Sequence, residues 1–445
     1  MKASYFTADS IDSSSLEGIT ADFFDDGIEM LARWRRHSDW HEQRLANRVD
    51  PYAKATLGSV SSETVARLRD GSLCSGVNFA SQDYLNLSAH PSVHAAARKA
   101  IDAYGVHSAG SVALMGSTEL SIALESRLAT FLGYRDCTVF PTGWGAGYGV
   151  VKTLVRRGDH VVIDVLAHAC LQEGARNATL NVHSVPHCSN IAVERRLERI
   201  RAGDTRCGIL VVTEGVFSMD SDVPDLAELQ AICRRHDATL MVDVAHDLGA
   251  LGATGRGVLE LQDMVGKVDL VMGSFSKTFA SNGGFVATNE PALKPPLRYN
   301  CGPLTFTNAL SPVQAAIVLA ALDIVDGEEG AALRARLMGN VLRLRAGLEA
   351  NGFQVLGQPS AIVPAVFGNS PVSRLATRYA LENGAIVNLV EYPAVSRNSC
   401  RWRLQVMAQH TASHIDMLVE IAMAAQVAAR RYESESEVAE ALVAL

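Results

Sequence analysis

Lys277 stands in Gly273-Ser274-Phe275-Ser276-Lys277, directly after the apolar run Val268-Asp269-Leu270-Val271-Met272. A second run, Thr239-Leu240-Met241-Val242, ends in Asp243-Val244-Ala245-His246. A lysine with two serines thus leaves one strand end, and an aspartate with a histidine leaves another. Those types in that order suit pyridoxal 5′-phosphate (PLP). The lysine amine makes a Schiff base, the aspartate keeps the pyridine nitrogen protonated, and small hydroxyls take the phosphate. A strand-end lysine is ordinarily a solvated charge, and an aspartate there is ordinarily a cap or half of an ion pair. The company they keep argues for chemistry instead.

Other positions join this constellation. His246 is placed to donate to the ring's phenolic oxygen. His168, after the run His160-Val161-Val162-Ile163, is placed to stack on the open ring face. Gly143-Trp144 opens a helix, and free amides at a helix start bind phosphate. Ser274 and Ser276 add hydroxyl donors. The alternating Gly143, Gly145, Gly147 and Gly149 also fit close helix packing alone. In Arg401-Trp402-Arg403-Leu404, an arginine fork suits a substrate carboxylate, with Arg403 and Arg401 as rivals.

The elements that must carry these residues are legible as short apolar runs. They lie at 138–140, 160–163, 208–212, 239–242 and 270–272, separated by amphipathic segments. Continuous apolar runs between helices predict an α/β fold with a mostly parallel sheet covered on both faces. Ligands bind such sheets outside the carboxyl ends of the strands, where the polar candidates emerge. Helices are expected over 28–46, 91–104, 119–132, 312–325 and 331–351. Short strands after 353 and a final helix predict a small α+β domain. The expected division is an N-terminal segment 1–90, a large cofactor-binding domain 91–325 and a small C-terminal domain 326–445. The arginine- and tryptophan-rich segment at 28–46 reads equally as an arm on a partner or as a surface helix of its own subunit.

Composition sets outer limits. The 445 residues are 48% hydrophobic and 20% charged, as in a soluble globular protein. A net charge of −8 without a long basic run argues against nucleic acid. No uncharged apolar stretch is long enough to span a bilayer, and Met1-Lys2-Ala3-Ser4-Tyr5 lacks a signal-peptide core. The eight cysteines are scattered without Cys-x-x-Cys. Disulfides and a structural zinc are therefore not expected, no catalytic metal is assigned, and a reducing cytoplasm fits.

The motifs together resemble the α-oxoamine synthases, which are fold-type I PLP enzymes. The resemblance runs from Asn78 to Ile415. It is carried by Thr213-Glu214-Gly215-Val216-Phe217-Ser218-Met219-Asp220, by Asp243-Val244-Ala245-His246 and Gly255-Arg256-Gly257, and by Gly273 through Lys277 and Phe306-Thr307-Asn308-Ala309-Leu310-Ser311-Pro312. It implies that Lys277 is the Schiff-base lysine and proton-transfer base, and that Asp243 pairs with the pyridine nitrogen. His246 and Ser218 would line the ring oxygen, and His168 would stack on the ring. Gly143, Trp144, Ser274 and Ser276 correspond to the phosphate side. Thr307 would reach the phosphate of a neighbouring subunit, implying a homodimer with shared sites. Arg403 would match the carboxylate-binding arginine, in a segment similar to serine palmitoyltransferase. Three departures stand out. Val244 replaces a glutamate, Cys170 replaces a common serine, and Gln82 replaces an asparagine near the substrate, which bears on amino-acid selectivity.

The implied reaction is a decarboxylative condensation. A small amino acid (Gly, Ala or Ser) joins an acyl thioester on CoA or an acyl carrier protein, giving an α-aminoketone, CO2 and free thiol. A PLP-dependent aminotransferase or lyase is the rival reading. A catalytically dead partner subunit is disfavoured, because Lys277, Asp243 and His246 are all present.

Overall fold

The computed structural model describes residues 13–23 and 25–443. They form two compact units. One combines the chain up to Ser81 with Gly339 onward, and the other is Gln82–Met338.

The second unit is built on a seven-stranded sheet. Its spatial order is Asp136–Phe140, Gly284–Thr288, Leu270–Ser274, Thr239–Asp243, Ile209–Glu214, His160–Asp164 and Val182–Val185. Gly284–Thr288 pairs antiparallel with both neighbours, and the other strands share one direction. All six residues of Ile209–Glu214 are buried. Both faces of that strand are therefore covered, which is why these runs lack polar alternation. The mostly parallel α/β sheet is the one expected. Two strands were not anticipated: Val182–Val185, whose run is half polar, and the reversed Gly284–Thr288.

The helices have local causes. Glu119–Leu132 begins with a reciprocal cap between Thr118 and Ser121 and ends at Gly133, whose φ of +73° suits a residue without Cβ. Pro91–Tyr104 and Pro312–Val325 both start with proline in the first turn. Gly143–Leu154 and Ala169–Ala178 share the unit's main core, where Ala146, Val150 and Leu171 meet Val161, Ile163 and Met272.

In the first unit, Cys400–Gln405 is fully buried within an antiparallel sheet, between Ile362–Gly368 and Leu389–Val390. Trp402 is buried there, and its indole N–H donates to Thr377 at 2.8 Å. A second four-stranded sheet pairs Leu73–Asn78 with Ala385–Ile386. The helix expected from residue 28 starts later, as a 3-10 turn at Ala32–Trp34 followed by Arg35–Ala46. The Glu29 carboxylate accepts from the Leu31 and Ala32 amides and caps that turn, which delays the start. Most of the helix is exposed or half-buried, and only Trp40 and Arg44 are buried. Buried Arg44 lies over the Trp40 ring at 4.7 Å and 3.5 Å from the Glu391 carboxylate. Among the described residues no helix is long and apolar enough to cross a membrane.

Candidate active site

The carboxyl ends of the parallel strands open into a cavity of about 280 Å³ in the second unit. Lys277, Asp243, His246 and His168 line it. Gly143, Trp144, Ser274 and Ser276 form another part of its wall. Residues separated by more than a hundred positions therefore converge because neighbouring strands end together.

Asp243 is the last residue of its strand and is 7% exposed. Its Oδ1 accepts the Ala245 amide at 2.9 Å. Glu214 is its ladder partner on the next strand and is 2% exposed. Burial pushes the Asp243 carboxyl above the ordinary carboxylate range, while Lys277 pulls it back down. Burial, with the Asp243 charge added, holds Glu214 well above that range. A cation beside Asp243 would relieve this crowding, and a protonated pyridine nitrogen is such a cation.

Another part of the wall is rich in hydrogen-bond donors. Thr142 caps helix Gly143–Leu154 by accepting the Gly145 amide at 2.9 Å. The first-turn amides of Gly143 and Trp144 have no intrahelical acceptor and point out of the helix start. Ser274 and Ser276 hydroxyls lie 2.7 Å apart beside them. A Cβ on Gly143 would come within 2.5 Å of Ser274 Oγ, so only glycine lets the helix start meet the strand end. Amide and hydroxyl donors on one wall and a buried carboxylate on another fit the phosphate and the ring nitrogen of PLP.

The two histidines are held by partners that the sequence did not single out for this role. His246 is buried, and its Nδ1 lies 3.0 Å from the hydroxyl of buried Tyr84. His168 caps helix Ala169–Ala178, its Nδ1 accepting the Cys170 amide at 3.2 Å. Its own amide donates to Glu214 Oε1 at 2.6 Å. Cys170 and Glu214 line the cavity too. Residue order marks Tyr84 only as part of the Ser81-Gln82-Asp83-Tyr84 segment near the substrate and gives no sign that it meets His246.

Other expected positions lie off the cavity wall. Ser218 is half-buried in the loop after Ile209–Glu214, and Gln82 is half-buried at the start of the unit. Thr307 is exposed, just after helix Gly302–Thr305. Arg403 belongs to the first unit, where it is buried in Cys400–Gln405. Its rival Arg401 donates to the carbonyl and hydroxyl of Ser399 at 2.8 and 2.7 Å, a local use of that guanidinium.

Beyond the wall, His187 is bonded at both ring nitrogens, Nδ1 to Asp164 at 3.0 Å and Nε2 to Asp222 at 3.1 Å. Burial disfavours its charge, but its hydrogen bonds with Asp164, which accepts, and with Cys188 outweigh this and raise its pKa to about 10. The same three residues, His187, Asp164 and Cys188, offer donor atoms within 4.8 Å of one another. Both ring nitrogens already face carboxylates, so the arrangement is that of an imidazolium between two anions.

Residues 75–421 match the family model of aminotransferase class I and II. The chain is 38% identical over 341 residues to 8-amino-7-oxononanoate synthase of Geobacter metallireducens, covering 77% of this chain and 86% of that one. The counterpart in Geobacter sulfurreducens is 37% identical over 366 residues, covering 82% and 91%. Among solved structures, serine palmitoyltransferase of Sphingomonas wittichii superposes with a TM-score of 0.84 at 29% identity, covering 90% of this chain and 99% of that one.

Proposed function

Because the chain belongs to the α-oxoamine synthases, PLP-dependent acyltransferases of the aminotransferase class I and II fold, we propose that its amino substrate is glycine, L-alanine or L-serine and its acyl donor a thioester of CoA or of a carrier protein. The reaction condenses the amino acid with the thioester, releasing CO2 and free thiol and leaving an α-aminoketone. The observation that carries the reading is the convergence of Lys277, Asp243, His168 and His246 on one cavity beside a donor-rich wall.

PLP, when bound, supplies an electron sink for charge at the amino acid's α-carbon. The protein's residues do the rest. Lys277 is the covalent attachment point, and its amine takes and returns the α-proton. Asp243, kept from solvent, holds the proton on the ring nitrogen. Gly143 and Trp144 amides with Ser274 and Ser276 hydroxyls fix the phosphate. His168 covers the ring face, while His246 and Ser218 serve the ring oxygen. Arg403 takes the substrate carboxylate, with Gln82 near the amino-acid side chain. This division follows the general pattern in which the cofactor does the hard chemistry and the protein orients groups.

We also propose a homodimer with shared sites, in which Thr307 serves the partner's phosphate. Its exposure supports this, as does that of neighbouring Phe306. The eight free thiols support a cytoplasmic setting.

The test is a visible absorbance titration of the PLP-loaded protein with glycine, L-alanine and L-serine in turn. A saturable change with one of them names the amino donor. Silence with all three, beside normal lysine-bound cofactor absorbance, rejects the substrate class. Turnover to a keto acid without any thioester would select the aminotransferase reading instead. Lys277→Ala is the control. It keeps its circular dichroism spectrum but forms no borohydride-stable cofactor adduct, and normal turnover by that variant would overturn the whole assignment.

A further inference from the structure

Three adjacent strands end in a buried acid. In sheet order the acids are Asp243, Glu214 and Asp164, which close Thr239–Asp243, Ile209–Glu214 and His160–Asp164. Their exposures are 7%, 2% and 5%. Glu214 and Asp243 are direct ladder partners, so their side chains leave the sheet on the same face, and both line the cavity. The outer two acids have cations. Asp164 Oδ1 meets the His187 ring at 3.0 Å. Asp243 feels the Lys277 charge and, in the reading above, faces the ring nitrogen. Glu214, in the middle, is met by a backbone amide, the His168 N–H donating to Oε1 at 2.6 Å. Like charges at neighbouring buried positions repel, and one amide offsets that less than a cation does. The acid without a cation is the one that keeps its proton. Burial first, then the Asp243 charge, hold the Glu214 carboxyl well above its ordinary range, and the His168 amide and Lys277 act in the opposite sense without prevailing.

We infer that Glu214 is a positioning residue that stays a neutral acid, anchoring the His168 backbone through Oε1 and leaving Asp243 as the anion that faces the ring nitrogen. Oε2 then carries the proton. A second ionised carboxylate at this place would compete with Asp243 for that cation and raise the proton affinity of every base in the cavity, Lys277 included. The inference rests on the PLP reading above for the ring nitrogen. The protonation of Glu214 and its bond to His168 do not depend on that reading.

The experiment uses the full chain, with and without PLP, as wild type, Glu214→Gln and Glu214→Ala near pH 7. The infrared difference spectrum between wild type and Glu214→Gln reads the protonation state. It is expected to show the carbonyl stretch of an un-ionised carboxylic acid, with the downshift that D2O gives such a group. The paired bands of an ionised carboxylate in its place overturn the inference. The second readout is the pH midpoint at which the visible band of the lysine-bound cofactor changes. Glutamine keeps an acceptor oxygen and changes no charge, so the Glu214→Gln midpoint is expected to stay within about 0.3 of a pH unit of wild type. Loss of an ionised neighbour would lower it by about one unit or more, and such a drop also overturns the inference. Alanine leaves the His168 amide without its acceptor. Glu214→Ala is expected to weaken the amino-acid spectral constant about fivefold to tenfold, with Glu214→Gln recovering most of that loss. Equal constants in the two variants overturn the anchoring role. The two glutamine readouts decide the protonation state even where the alanine chain fails to fold. Absence of any lysine-bound cofactor in wild type would instead strike the PLP reading and leave the infrared result standing.

Discussion

The Tyr84 hydroxyl sits 3.0 Å from His246 Nδ1, with both side chains buried, across 162 positions of sequence. The bond fixes the plane of the imidazole at the cavity wall. Tyr84→Phe removes the hydroxyl without removing the ring. One hydrogen bond of this kind contributes about 1 kcal/mol, so kcat/KM is expected to fall about fivefold with little change in melting temperature. Steady-state kinetics with the amino acid and thioester found above provide the check. An unchanged kcat/KM would mean that the Tyr84 hydroxyl does not position His246.

His187 yields a pH-dependent prediction. Its pKa rises from an ordinary 6.5 to about 10 in the folded chain. The folded state thus binds a proton that the unfolded state releases. The stabilisation is full below about pH 6.5, declines as pH rises, and is gone above about pH 10. Urea unfolding of wild type and His187→Gln at pH 6, 8 and 10 is expected to show a difference that narrows steadily. A constant difference across that range would mean that the ring is neutral and held by its edge contact with Phe217, whose ring centroid lies 4.4 Å away.

Asp247 makes the opposite case, a buried group whose replacement stabilises. Its side chain is wholly buried, Oδ2 accepts the Val258 amide at 2.7 Å, and Oδ1 has no hydrogen-bond partner. Burial raises this carboxyl from 3.8 to about 8. Between those values the unfolded chain ionises it while the folded chain keeps it neutral, so wild type loses stability as pH climbs. Asp247→Asn retains an oxygen for Val258 and does not titrate. It is expected to match wild type relatively best near pH 4 and to gain on it up to pH 8, by on the order of 2 kcal/mol or more. Melting curves of the two proteins from pH 4 to 9 decide the matter; parallel curves would place the Asp247 pKa in the ordinary range.

Much of the site was readable because its chemistry is written at strand ends. The runs before Asp243 and Lys277 are unmistakably buried strands, and position at a carboxyl end then follows from parallel topology. Helix Glu119–Leu132 was equally plain, since Thr118 and Gly133 mark its limits. Tyr84, Glu214 and Asp247 were different. A tyrosine reaching a distant histidine leaves no periodic trace, and crowding among buried carboxylates exists only once the strands are paired. Cys170 was visible as a departure from a common serine, but the bond from its amide to His168 exists only in the fold. Val182–Val185 was missed because His183 and Ser184 break its apolar run, and the start of Arg35–Ala46 was displaced by a side-chain cap from Glu29.

The reversed strand Gly284–Thr288 fills the place between Asp136–Phe140 and Leu270–Ser274, and a Cβ on Gly284 would lie 2.6 Å from the Gly143 Cα. That contact has a meaning for the order of events at the ribosome. Synthesis delivers Gly143, Asp243 and Lys277 before residue 284 exists, yet the two strands that flank the gap have no bridge until it arrives. A nascent chain that stops short of Thr288 therefore carries Lys277 and the helix start at Gly143 without the strand that packs between Asp136–Phe140 and Leu270–Ser274.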